Sequence, residues 1–239
     1  MSEATRKQIE LFKELYCKGK ERRLTIYRDF EVEIESYEEL LPGNTIRSYA
    51  TGNREIDGSF IIFRVIDTTN DIVYYPVFSV GVGRELANQG GLKLPSKITV
   101  FKNDGNGANG GGVNRGDTKS IKRKDDNKEM LQLIQFARSM MILHVNEPRP
   151  MGEPFKGIYD KLEACPRYEV FESDIKSVNS AISHFLNGST NKRNENFLSL
   201  QDYIAFLQEK YPTQNLRNYD FQILRNKMIE RYPDEIVVF

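Results

Sequence analysis

Asp174-Ile-Lys176 sets a carboxylate and an ammonium two positions apart, and Asp160 stands fourteen positions before Asp174. Two carboxylates can hold Mg²⁺ while a lysine sits near an attacking water, which is the equipment of a metal-dependent nuclease. The three-residue element is common in proteins, and Asp174 also reads as the cap of a helix carrying Ile175 and Val178. Capping therefore takes precedence, with a Mg²⁺-dependent nuclease of Asp160, Asp174 and Lys176 as the second alternative.

A second chemistry lies at Lys122, Arg123 and Lys124, a basic run just after a segment rich in Gly and Asn that contains Arg115. Such cations neutralise phosphates, and the amides of a Gly-rich backbone can cradle anions. Asp125, Asp126 and Glu129 follow at once and weaken the local field. The glycines match neither a P-loop nor a dinucleotide fingerprint. A solvated helix start, where acids are favoured, is the plain reading. Nucleic-acid binding through Arg115, Lys122, Arg123 and Lys124 is the functional alternative.

Other chemical groups yield less. His144 and His184 each fall on or beside an apolar helical stripe with no Cys or His three or four positions away, as core or boundary histidines do. Arg115-Gly-Asp117 matches a tripeptide read by adhesion receptors, but chance accounts for it. Tyr27-Arg28 with Ser48 is too sparse a set to assign a nucleotide-transfer site, and no G-x-S-x-G occurs. No catalytic residue, cofactor or metal ligand is assigned on these grounds, and a non-enzymatic protein is expected.

The bulk properties narrow the classes. Lysine plus arginine equals aspartate plus glutamate at 34 each, so no global field draws in polyanions and copies repel one another little. Cys17 and Cys165 carry no second ligand at metal spacing, which suits free thiols in a reducing compartment. No apolar run approaches the ~20 residues of a membrane span, and no signal peptide is legible. A cytoplasmic or intracellular protein without a membrane partner is expected.

The elements that must position these groups follow from periodicity. An amphipathic helix capped by Ser2 or Thr5 is expected to about Lys18, with Ile9, Phe12, Leu15 and Tyr16 on one face and Gly19 as its stop. Period-2 alternation predicts a strand over 24–35. Phe60–Ile66 and Ile72–Val80 flank a polar turn as a hairpin, with Pro76 marking an edge or a bulge, and Lys97–Phe101 reads as a further strand. Helical spacing predicts helices from about 126 to 144, 174–187, 199–210 and 216–232, with Asn187-Gly-Ser189 as a helix end rather than a glycosylation site. The chain is thus expected to be α+β and a single domain: an N-terminal helical arm over 1–19, an antiparallel sheet (a sandwich or small barrel) over 24–102, a Gly/Asn-rich loop and basic run over 103–125, and a helical part over 126–239.

Ten of the sixteen residues from 103 to 118 are Gly or Asn, a loop long enough to be functional or a linker, which a neighbouring copy could order. Together with the balanced charge, the amphipathic first helix and the apolar C-terminal end, it points to a self-associating structural protein. Such a protein would build an ordered assembly of capsid or occlusion-body type. Its expected homo-oligomeric contacts are Ile9, Phe12, Tyr16, Tyr74, Tyr75, Val238 and Phe239, exchanged between protomers.

Overall fold

The computed structural model of the chain describes residues 3–50, 54–102, 122–142, 150–187 and 197–239. Arg115, the rest of the Gly/Asn-rich loop, His144, Gly188 and Ser189 lie outside the described residues. Two compact units make up the chain, Met1–Ile98 with Ile142–Met151 and Thr99–Met141 with Gly152–Phe239. The class is α+β, with an antiparallel sheet in the first half and packed helices in the second.

In the first unit, α1 (Glu3–Phe12) runs into a π-helical turn, Lys13–Cys17, and the chain leaves it through Gly19 at φ 93°, a conformation that costs glycine little. The strand expected over 24–35 begins only at Glu31. Residues 20–29 instead form two short helices, α2 (Lys20–Leu24) and α3 (Ile26–Asp29). Ile26 and Phe30 satisfy a spacing of four as well as one of two. The turn settles it: Thr25 Oγ1 donates to the Arg22 carbonyl at 2.7 Å, and the Thr25 carbonyl accepts from the amides of Arg28 and Asp29.

β1 (Glu31–Glu39) pairs antiparallel with β4 (Ser59–Asp67), with a register shift between Ile34 and Ser36. The expected hairpin forms: Asp67 Oδ1 accepts from the amides of Thr69 and Asn70 at 3.0 and 3.1 Å, which turns the chain into β5 (Ile72–Tyr74). Pro76 then interrupts the returning strand, and β6 (Val77–Ser79) resumes along β4. β2 (Ile46–Arg47) and β3 (Glu55–Ile56) pair as a separate antiparallel ribbon.

β4 is apolar on both faces, and alternation sorts its residues. Ile61, Phe63 and Val65 pack with Phe12, Ile26, Phe78 and Leu86, whereas Phe60 and Ile62 pack with Leu40, Ile46, Ile56 and Val77. One four-stranded sheet is therefore covered by helices on one face and by the short ribbon on the other, in place of the sandwich or barrel expected. Val80, expected to end a strand, opens α4 (Val80–Gln89). Two glycines and two valines conceal that helix locally. Gly83 is required there, because a Cβ would stand 2.7 Å from Ile61 Cδ1.

Tyr27 ties α3 to α4 by donating to the Leu86 carbonyl at 2.7 Å, and burial pushes its hydroxyl up from 10.0 to about 12. The unfolded chain releases that proton near pH 10, so this contribution to stability is complete below pH 10 and is lost as pH rises towards 12. Tyr27→Phe is expected to reduce the fall in urea midpoint between about pH 9 and about pH 11, while lowering stability at neutral pH through loss of the bond to Leu86. An unchanged fall would remove Tyr27 from the alkaline transition.

The residues expected to form the strand 97–101 divide between the units and make only isolated bridges, Ile98 with Glu38 in the first and Phe101 with Leu216 in the second. The Lys102 amide donates to the Asn215 carbonyl and the Arg217 amide to the Val100 carbonyl, which keeps 215–217 extended. For that reason α9 (Gln222–Arg231) starts later than the periodicity suggests. α5 (Asp125–Ile142) and α7 (Glu172–Asn187) fall where expected, and α8 (Leu200–Lys210) begins with a capping box between Ser199 and Asp202. α6 (Phe155–Ala164) was not legible, though Phe155, Ile158, Tyr159 and Leu162 make its buried face.

Candidate functional site

The side chains expected to mediate assembly from the N-terminal part are largely occupied within the first unit. Phe12 is buried and its ring stacks on Tyr74 at 4.1 Å between centroids, while Phe30 meets Tyr16 edge-on at 4.8 Å. Tyr16 is half-buried; burial, followed by the neighbouring Asp29 carboxylate, raises its pKa. Tyr74 packs with the helix-covered core and Tyr75 with the ribbon-side core, so the two tyrosines serve opposite faces of the sheet. Ile9 is half-buried. What this helix leaves in solvent is a different pair. Leu11 is 58 % exposed and Leu15, one turn on, is 50 % exposed.

At the other end, Val238 and Phe239 are buried in the second unit. Asn179 of α7 holds the segment from both sides, Nδ2 donating to the Ile236 carbonyl at 2.8 Å and Oδ1 accepting from the Val238 amide at 3.0 Å. The Val238 carbonyl accepts from the Leu200 amide at 3.0 Å, Arg225 donates to the Phe239 carbonyl, and the Phe239 ring meets Phe221 edge-on at 6.1 Å. These residues close their own unit.

The basic run is split by the fold. Arg123 turns inward: Nη1 donates to Asn127 Oδ1 at 2.7 Å and to the Leu162 carbonyl at 2.6 Å, and Nη2 approaches Glu163 at 3.5 Å. Asn127, fully buried, donates from Nδ2 to the carbonyls of Cys165 and Tyr168, both at 3.2 Å. Lys122 and Lys124 remain exposed, and Lys124 makes a surface pair with Glu169 at 3.4 Å. Behind them Lys227 bonds Asp126 at 2.9 Å. Desolvation raises the Asp126 pKa, but the Lys227 ammonium and two backbone amides outweigh it and leave the carboxyl below its usual range.

The nuclease residues each find a separate partner. Asp160 pairs with Lys156 at 2.6 Å, Asp174 accepts from the Tyr168 hydroxyl at 2.8 Å, and Lys176 pairs with Glu235 at 2.6 Å. Asp174 lies in the first turn of α7, not at its cap. Among the described residues no group of three or more His, Cys, Asp or Glu is placed to hold a metal ion, and no helix is long and apolar enough to cross a membrane.

Sequence reasoning missed the role of Asn127 behind the basic run, because nothing local marks it. Helical spacing placed Leu15, and not Leu11, on the apolar face, but which of the helix's apolar residues stay in solvent is decided by what the sheet can cover. Compared with protein-family models, curated proteins and solved structures, the chain matches none.

Proposed function

We propose that this chain is a non-enzymatic, self-associating structural protein that builds an ordered assembly from its own copies. The reading is carried by Leu11 and Leu15, exposed one turn apart on a helix already anchored through Phe12 and Tyr16. A leucine kept in water forgoes on the order of 2 kcal/mol of burial, and a pair on a docked helix recovers part of it against another copy without ordering new backbone. Equal numbers of acidic and basic residues, 34 of each, leave little repulsion to oppose that contact.

The route differs from the exchange of termini that the sequence suggests. Phe12 and Phe239 are built into their own units, so removal of either end would damage folding before it could report on assembly. Surface packing around Leu11 and Leu15 is the proposed route instead. Stable interfaces bury over roughly 1,000 Å², so the pair is the apolar centre of a larger contact.

The test is solution mass. Light scattering of the intact chain is expected to give species larger than one chain, and Leu11→Glu with Leu15→Glu to return single-chain mass with unfolding free energy changed by less than about 0.5 kcal/mol per site. A single-chain mass for the intact protein at high concentration would overturn the proposal.

A further inference from the structure

The inward turn of Arg123 has the effect of assembling a cationic surface that the linear run does not contain. Its guanidinium rests on the carbonyl of Leu162, the residue after Lys161, and the Lys124 amide donates to the carbonyl of Pro166, the residue before Arg167, at 3.0 Å. Lys122 and Lys124 are thereby brought alongside the chain that carries Lys161 and Arg167, all four exposed. Among the described residues Lys122, Lys161 and Arg167 make no ion pair, and the Lys124–Glu169 pair is 45 % and 65 % exposed, of the kind worth under about 1 kcal/mol.

An exposed aromatic follows on the same segment, four residues after Arg167. Phe171 is 53 % exposed and meets Tyr168 edge-on at 5.9 Å. Its backbone is fixed, since its carbonyl accepts from the amides of Asp174 and Ile175 at 3.0 and 3.2 Å. Of the carboxylates in the neighbourhood, Glu163 meets Arg123, Glu169 meets Lys124, Asp126 meets Lys227 and Asp174 meets Tyr168, while Asp125 is exposed and Glu172, next to Phe171, makes no ion pair among the described residues.

We propose that Lys122, Lys124, Lys161 and Arg167, with Phe171 as a stacking face, bind single-stranded nucleic acid. The cations take successive phosphates and Phe171 takes a base, whose π-face is available in a single strand and hidden in a duplex. The balanced net charge does not oppose this, because exposed charges farther away than a Debye length of about 10 Å are largely screened at 0.1 M salt. The proposal rests on the second unit alone and is independent of the self-association reading.

The experiment is fluorescence anisotropy with a labelled oligothymidylate of about 20 nucleotides in low salt, against a duplex and a polyglutamate of equal charge. The intact chain is expected to prefer the single strand, with a log–log salt slope near −2 to −3, at about 0.7 per phosphate for three to four contacts. Lys161→Glu with Arg167→Glu should abolish binding, and Phe171→Ala should weaken it roughly 5- to 100-fold with the slope retained. Circular dichroism and the thermal midpoint identify folded variants, and Lys161→Gln with Arg167→Gln serves if the charge reversals unfold. Failure to bind in low salt overturns the proposal. Equal capture of polyglutamate would make the surface a dock for acidic peptides, and duplex binding indifferent to Phe171→Ala would remove the single-strand assignment.

Discussion

Phe239→Ala is expected to lower the unfolding free energy by about 3–5 kcal/mol, the loss that accompanies truncation of a fully buried phenylalanine. Its side chain is 0 % exposed and faces Phe221, and the preceding residues are held by the Asn179 amide and the Leu200 backbone. Truncation removes the ring's transfer energy and leaves a cavity that a helix-bounded core can only partly close. Against a total stability of some 5–15 kcal/mol for a typical domain, that is a third or more of the whole. Ile236, three residues away and 80 % exposed, supplies the control: Ile236→Ala should stay within about 0.5 kcal/mol. Urea unfolding of the two variants reads the contrast. Equal small losses would show that the C-terminal segment is not part of the core.

Asn127→Leu is expected to cost on the order of 3 kcal/mol, although it exchanges a polar side chain for an apolar one of similar size. The amide serves three partners at once, the Arg123 guanidinium and the carbonyls of Cys165 and Tyr168. Leucine satisfies none; Arg123 keeps the Leu162 carbonyl and the Cys165 carbonyl keeps the Tyr168 amide, so the loss is the bond to the guanidinium and the side-chain donor to the Tyr168 carbonyl, each about 1–3 kcal/mol, partly offset by the apolar burial gained. Asn127→Asp separates the contributions: it keeps an acceptor for Arg123 and loses the donor to both carbonyls. Urea midpoints should fall in the order wild type, Asn127→Asp, Asn127→Leu. A leucine variant as stable as wild type would mean that the carbonyls find other donors, and the anchoring role given to Asn127 would fail. Because the same amide fixes Arg123 and the chain after Leu162, the leucine variant should also weaken nucleic-acid binding.

The elements that could be read from sequence are those whose signals are local. The capping box of Ser199 and Asp202, the Asp67 turn between two apolar runs and the stop at Gly19 each act within one turn or hairpin, and each stands where the residues place it. The α+β class followed from them. Elements decided by distant partners were illegible. Residues 24–29 alternate like a strand yet coil, because the Thr25 turn and the burial of Ile26 under the sheet favour a helix. Val80-Gly-Val-Gly83 has poor helix formers throughout, and becomes helical where close approach to Ile61 excludes a Cβ. The candidate surfaces divide in the same way. Sequence marked Lys122, Arg123 and Lys124 as basic and Phe12, Leu15 and Phe239 as apolar; tertiary contacts then sent Arg123 to the Leu162 carbonyl, buried Phe12 and Phe239, and left Leu15 beside Leu11 in solvent. Residue type states what a side chain can exchange with water. Whether it does so depends on surfaces remote in sequence that meet it only after the chain has folded.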